Sequence, residues 1–451
     1  MRKDNENPVV KRIAVKADCE FATPALIGSG FGENTDSDIL RHNDGNAFLP
    51  GSTVAGVLRS LTENKDKSND LFGALDSISP LWVYDAELYE PKDRKPAKVI
   101  ELDGVALSHL NKVAIDAKKY DYEAVDCGTI FTLYFLLTIR ARDKDKDYED
   151  LLKQLLGVIK ANEVAFGAKT KRGFGRVSCK KLLAREFDLA SGNADALRNW
   201  IEFDMRDEKA EAAKLWQEAQ TIEYSGNYET LTVALKLDGS IMIRDMRNIF
   251  DDDEPKAPDY KHISVGGKPA ILGTSWAGAF RSGLYRLLSQ KYPEKAKCYL
   301  DDVFGYVKEA SSADEAKSEP SRVIFDASFL EESDKKTDGY RNITRVKIDR
   351  FTGGAADGAL FSEKPWYGGK TELKVRYPKD CEDIRELLLL GFDALDKGLI
   401  QIGGETSVGR GFIKVVTVSD KSGNITINAP KPKLKDALEN SKNSEKAGET
   451  A

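Results

Sequence analysis

Cysteine and histidine are the scarcest chemistry in this chain. Cys19, Cys127, Cys179, Cys298 and Cys381 stand far apart, and no two form a CxxC. That excludes a dense disulfide framework and the usual zinc spacing, and it points to a reducing, cytoplasmic setting. Only His42, His109 and His262 are available to a histidine-centred triad. Long apolar runs are missing too. Residues 133–139 and 387–392 are the richest stretches, well short of the roughly 18 residues of a spanning helix. No apolar segment backs the charged start, so neither a secretory leader nor membrane insertion is expected. Phosphate-binding fingerprints are absent: there is no GxxxxGK followed by Ser or Thr.

What is present is a folding composition. Of 451 residues, 41% are hydrophobic and 31% charged, enough for a core in each of two domains. The net charge of −6 speaks against a generally basic nucleic-acid binder, but local clustering decides that question. Residues 165–181 carry Lys169, Lys171, Arg172, Arg176, Lys180 and Lys181 and no acid. Residues 341–350 hold Arg341, Arg345, Lys347 and Arg350 against Asp349. Acids collect elsewhere, as in residues 251–254.

The chain repeats itself. Gly51, Ala55, Gly56, Arg59 and Ser60 return in one alignment as Gly273, Ala277, Gly278, Arg281 and Ser282. Residues 112–116 (KVAID) return as residues 345–349 (RVKID), and the Gly-rich residues 167–176 return as residues 403–412. Three features in the same order mean a duplicated domain. The expected organisation is a first domain over residues 10–187 and a polar helical connector over 188–227. A second domain follows over 228–418, with a disordered tail over 419–451. Residues 311–322 read as a polar, mobile insertion. Within each domain the order is strand, helix, strands, helix, Gly-rich loop, strand. That is α+β, and it fits a ferredoxin-like sheet with helices on one face.

The turn at Pro50-Gly51-Ser52 opens a helix whose free N–H groups and dipole could cradle a phosphate, with Ser52 or Thr53 as cap. Arg59 lies two turns on, and Ser275 and Arg281 occupy the second copy. The same residues fit an ordinary capped helix with a solvated arginine. In the late loops, glycines free the backbone to approach a ligand, and Lys169, Lys171, Arg172, Arg176 and Arg410 supply charge for a sugar–phosphate chain. Residues 345–361 form a basic strand, bearing Lys347 and Arg350, that runs into a small-residue tip among aromatics. A hairpin that wedges against stacked bases has this pattern, and so does a plain surface hairpin. Asp36 and Asp259 sit in polar loops ahead of the two turn-helices. There a carboxylate could place a divalent ion or take a proton from a ribose hydroxyl, or it could simply be a solvated turn residue. His42 and His262, near the same loops, read as surface residues.

These motifs resemble the RAMP superfamily: the PGS turn-helix, residues 348–361 (IDRFTGGAADGALF), and the GxGR loop. More narrowly they resemble the backbone subunits of type III CRISPR effector complexes, in the tandem form of the type III-D group. The resemblance implies two tandem ferredoxin-like, RNA-recognition-like domains with projecting thumb hairpins, around residues 107–117 and 346–361. It implies a CRISPR guide RNA, a target RNA and other CRISPR effector subunits as partners. It also implies cleavage of the paired target beside each kinked base by a loop aspartate, Asp36 or Asp259, with transient Mg2+ or Mn2+. Two other readings stay open: a non-catalytic backbone, and a guide-RNA-processing endoribonuclease using His42. The first thumb lacks the Arg-Phe-Thr-Gly-Gly segment, and the second turn has Leu272-Gly273-Thr274 in place of Pro-Gly-Ser.

Overall fold

A computed structural model describes residues 7–441, except 31, 33–34, 63, 75, 108–113, 144, 191–192, 208–214, 246–257, 308–317 and 334–336. The expected acidic insertion, the first thumb's tip and most of the mobile insertion therefore lie outside the described residues. By contacts the chain forms two compact units. One comprises Met1–Ile100, Glu123–Thr170 and Gly175–Gly226; the other comprises Glu101–Tyr122, Lys171–Phe174 and Asn227–Ala451.

In the first unit the strand Val9–Phe21 runs antiparallel between Ile130–Arg140 and Val177–Asp188. Its inward residues Ile13, Val15, Ala17, Cys19 and Phe21 alternate as a half-buried strand requires. With Leu81–Val83 at one edge, the spatial order of the main strands is second, third, first, fourth. That is the ferredoxin-like sheet. The helix Tyr148–Lys160 covers the core face with Leu151, Leu152, Leu155, Leu156 and Ile159. Glu149 and Asp150 open it and Lys160 closes it, which suits the helix dipole. The second unit has the same plan. Tyr228–Asp238 lies between Lys370–Pro378 and Phe412–Asp420, with Ile324–Phe325 at the edge and the helices Gly273–Leu288 and Glu382–Asp396 in the same chain order. The two helices meet closely: a Cβ on Gly391 would stand 2.6 Å from the Phe280 ring.

Three expectations change. The connector's helix ends at Ile201, and Gln217–Glu218 pairs with the sheet as a strand where a helix was expected to continue. The cause is packing: Phe187, Trp200, Phe203 and Trp216 form a chain of ring contacts that pins the segment down. The tail from 419 is ordered as far as Asn440. Gly423–Ile425 adds a strand, and the helix Pro432–Asn440 buries Leu434 and Leu438, four residues apart on one face. Glu386 accepts the Leu434 N–H at 2.7 Å, capping that helix from outside. His262, finally, is fully buried rather than superficial. It lies on Tyr260–His262, which pairs antiparallel with Arg244–Asp245 and parallel with the strand Ala355–Lys364. The Ile243 N–H donates to its Nδ1 at 3.0 Å.

Phe280 is buried against Phe325 and Phe392, with ring centroids 5.1 and 5.0 Å away. Phe280→Ala should cost about 3–5 kcal/mol, read as a lowered denaturant midpoint. Burial pushes the His262 imidazole down from 6.5 to about 3, partly opposed by the Ala270 carbonyl and Asp245. Between those values the unfolded chain binds a proton that the folded chain refuses. Stability is thus complete above about pH 6.5 and falls as the pH drops towards 3. The loss from this group between pH 7 and 5 should be about 2 kcal/mol in urea titrations, and His262→Gln should flatten that slope.

Candidate nucleic-acid interface

The first turn-helix, Gly51–Ser60, has Pro50 as N-cap, and neither Ser52 nor Thr53 caps it. Asp85 takes that place: its Oδ1 accepts the Gly51 N–H at 2.7 Å. A carboxylate already occupies the positive end of this helix, so the expected phosphate cradle is filled from within the chain. Gly51 is required for packing, since a Cβ there would lie 2.4 Å from the Val83 carbonyl oxygen. Ser52 and Arg59 are exposed, and Arg59 holds the Asn69 side chain. In the second unit Ser275 is half-buried in the helix's first turn. Arg281 is committed to Asp301 at 2.5 Å and the Gly305 carbonyl at 2.9 Å.

The two late loops share one backbone. Gly167, Gly173 and Gly175 have positive φ, as do Gly403, Gly409 and Gly411, and so do the non-glycine residues Lys169 and Glu405 at matching positions. The reason for glycine is internal closure rather than ligand approach. A Cβ on Gly175 would stand 1.9 Å from the Phe166 carbonyl oxygen, and one on Gly411 would stand 2.1 Å from that of Ile402. The closing arginines turn inward as well. Arg176 and Arg410 are buried, which corrects the expectation that they face phosphates. Arg410 pairs with the fully buried Glu363 and, at 3.0 Å, with Glu405. Arg345 reaches Glu363 at 2.8 Å. Burial and the neighbouring Glu405 raise the Glu363 carboxyl, and Arg410 and Arg345 oppose that. On the outside of the first loop, Arg172 is exposed and its guanidinium lies 3.4 Å from the Tyr120 hydroxyl. Lys171 donates to the Tyr228 hydroxyl at 2.7 Å and covers that ring. Lys169 is half-buried.

The hairpin Ile343–Ile348 with Ala355–Lys364 keeps its tip in water. Phe351 is 94% exposed, and Val346, Ile348 and Leu360 are exposed too. Lys347 and Arg350 stand beside them, both exposed. Asp349 builds the turn: its Oδ1 accepts from Phe351 N, Thr352 N and Thr352 Oγ1 at 2.7 to 3.0 Å, and these bonds hold its carboxyl below the usual range. The matching strands of the first repeat are Val99–Leu107 and Ala114–Val125.

Both candidate aspartates are exposed, but their settings differ. Asp36 lies at the tip of a loop that Asp38 organises, by accepting Thr35 N at 3.0 Å and Thr35 Oγ1 at 2.7 Å. The loop is gripped at its far end by Glu123, a residue the sequence reading passed over. The Glu123 carboxylate accepts Ile39 N at 3.0 Å and Arg41 at 2.8 Å, and its backbone N–H donates to Ser37 O at 3.0 Å. Asp259 is spent on the hairpin: its Oδ2 accepts Ser362 N at 2.6 Å, next to Glu363. In each repeat, then, a buried glutamate on the hairpin's return strand adjoins the loop that carries a candidate aspartate. Among the described residues no group of three His, Cys, Asp or Glu side chains is placed to hold a metal ion. Half-buried His42 stacks on Phe48 and lies 3.2 Å from Glu87. No helix among the described residues is long and apolar enough to cross a membrane.

Comparison with known proteins agrees with the duplicated architecture. The RAMP superfamily matches the chain twice, over residues 18–178 and 256–414. The CRISPR system Cms endoribonuclease Csm3 of Methanocaldococcus jannaschii is 24% identical over 210 residues, covering 40% of this chain and 84% of that protein. Two ferredoxin-like sheets, each with its turn-helix, hairpin and Gly-rich late loop, and two family matches that span more than half of the sequence, make this chain a member of the RAMP superfamily.

Proposed function

We propose that the chain is a backbone subunit of a type III CRISPR effector ribonucleoprotein, binding guide RNA and cleaving the target RNA paired with it. The observation that carries this reading is the hairpin of the second unit. A turn that holds Phe351 almost wholly in water, next to Arg350 and four residues after Lys347, is costly for a protein surface and suited to a nucleic acid. The ring can insert beside a base while the nearby cations meet phosphates. The CRISPR endoribonuclease name of the Methanocaldococcus relative supports the same assignment. The partners are then guide RNA, target RNA and the other subunits of the effector.

Cleavage is assigned to Asp36 before Asp259. Asp36 is exposed in a loop that Asp38 and Glu123 hold in place, so its carboxylate stands at the surface on a fixed base. Its role is to take the proton of a ribose 2′-hydroxyl beside a kinked base. Asp259 already accepts from Ser362, which favours a structural role for the second unit's loop. Any Mg2+ or Mn2+ requirement would rest mainly on RNA phosphate oxygens, with Asp36 as one protein ligand.

Replacing Lys347 and Arg350 together by Ala should weaken guide-RNA binding uniformly across sequences and lower the salt slope by up to about two. An unchanged affinity and slope would remove the hairpin from the RNA track. In assembled complexes, Asp36→Ala should abolish one cut in a labelled target-RNA ladder while guide binding stays intact, since a small exposed loop change costs little stability. Asp259→Ala should leave the ladder unchanged. A full ladder from both variants would leave a non-catalytic backbone as the function.

A further inference from the structure

We propose that Cys19 and Cys179 form a cross-strand dithiol that a hydroperoxide closes to a disulfide, a modification site separate from the RNA-facing loops. The two residues are remote in sequence, but Cys19 on the first strand lies directly opposite Cys179 on the last. A bulge makes the match. Asp18 faces Lys181, so an unbroken register would set Cys19 against Lys180; the shift between Asp18 and Cys19 skips Lys180 and opposes the two cysteines. Directly opposed residues of antiparallel strands have Cα atoms about 4.5–5.5 Å apart. That lies within the roughly 4.4–6.8 Å span of a disulfide, so the bond needs side-chain rotation and little backbone movement. The Cys179 thiol donates to the Lys181 carbonyl at 3.6 Å, which holds it on the strand beside Cys19. Asn162 fixes the site by accepting the Cys179 N–H at 2.7 Å.

The environments divide the roles. Cys19 is buried in the core and Cys179 is half-buried. The neighbouring Cys19 thiol lowers the Cys179 thiol against the opposing effect of partial burial, with smaller help from the Lys181 backbone and the charge of Lys160. The same pairing, with burial, raises Cys19. Cys179 is therefore the sulfur that an oxidant reaches and Cys19 the one that resolves the product. The Cys179 thiolate attacks the O–O bond of the hydroperoxide; that bond breaks, leaving a sulfenic acid on Cys179 and releasing an alcohol, or water when the oxidant is hydrogen peroxide. The Cys19 sulfur then displaces the sulfenic hydroxyl, the S–S bond forms, and water leaves with the Cys19 proton. Two electrons pass from the sulfurs to the peroxide. The product ties the first strand to the last, just beyond the late loop that ends at Arg176.

The test is hydrogen peroxide treatment of the folded, full-length protein, followed by alkylation and peptide mapping. The expected result is a loss of two hydrogens in intact mass and a peptide pair linked through Cys19 and Cys179, reversed by dithiothreitol. Cys19→Ala should leave a sulfenic acid on Cys179 that dimedone traps, whereas Cys179→Ser should leave Cys19 unmodified. Separate alkylation of both cysteines in the treated wild-type protein overturns the proposal, as does crosslinking through Cys127, Cys298 or Cys381 instead. The wild-type map decides the matter even if a variant folds poorly.

Discussion

A carboxylate removed from water must find its charge answered inside the protein, and much of this molecule is arranged around two such groups. Glu363 has no exposure at all and keeps Arg410 and Arg345 against it. Breaking a buried pair of this kind is far more damaging than never having built it. The consequence is geometric. Glu363 belongs to the hairpin's return strand, Arg410 closes the late loop, and Tyr260 beside Asp259 pairs with that same strand position. One buried charge therefore fixes three elements of the second unit. Glu123 does the corresponding work in the first unit, gripping the Asp36 loop through its side chain and its backbone.

This arrangement separates residues that hold from residues that reach. Asp38, Asp85, Glu123, Arg176 and Arg410 face inward or cap backbone groups, and their charges serve the fold. Asp36, Arg172, Lys347, Arg350 and Phe351 remain at the surface. The proposed role in a ribonucleoprotein calls for both sorts, because RNA is positioned by a rigid track and contacted by groups that give up little hydration until it arrives. The dithiol is built on the same logic: a bulge that adjusts the register at the end of the first strand also decides which side chains stand together.

The sequence by itself determined the duplication, the α+β order and the ferredoxin-like plan. Those depend on local periodicity and on motifs that recur in a fixed order, such as Gly51 to Ser60 against Gly273 to Ser282. It also determined that the stretch around Phe351 is a basic hairpin with a small-residue tip. What the tertiary structure decided is which way each charge points. Arg176 and Arg172 lie on one loop and read alike, yet one is buried and the other exposed, because the positive-φ glycines turn the chain between them. The order of the tail was equally hidden, since Leu434 and Leu438 find their partners, and the helix its cap at Glu386, only in the folded unit. Asp36 and Asp259 look equivalent along the chain, and only the folded chain shows that one lies in a loop held by Asp38 and Glu123 and the other bonds to the hairpin at Ser362. Cys19 and Cys179 read as unrelated residues until a one-residue bulge sets them face to face. In every such case the deciding partner is distant in sequence, and burial and hydrogen bonding are settled by partners that local pattern does not encode.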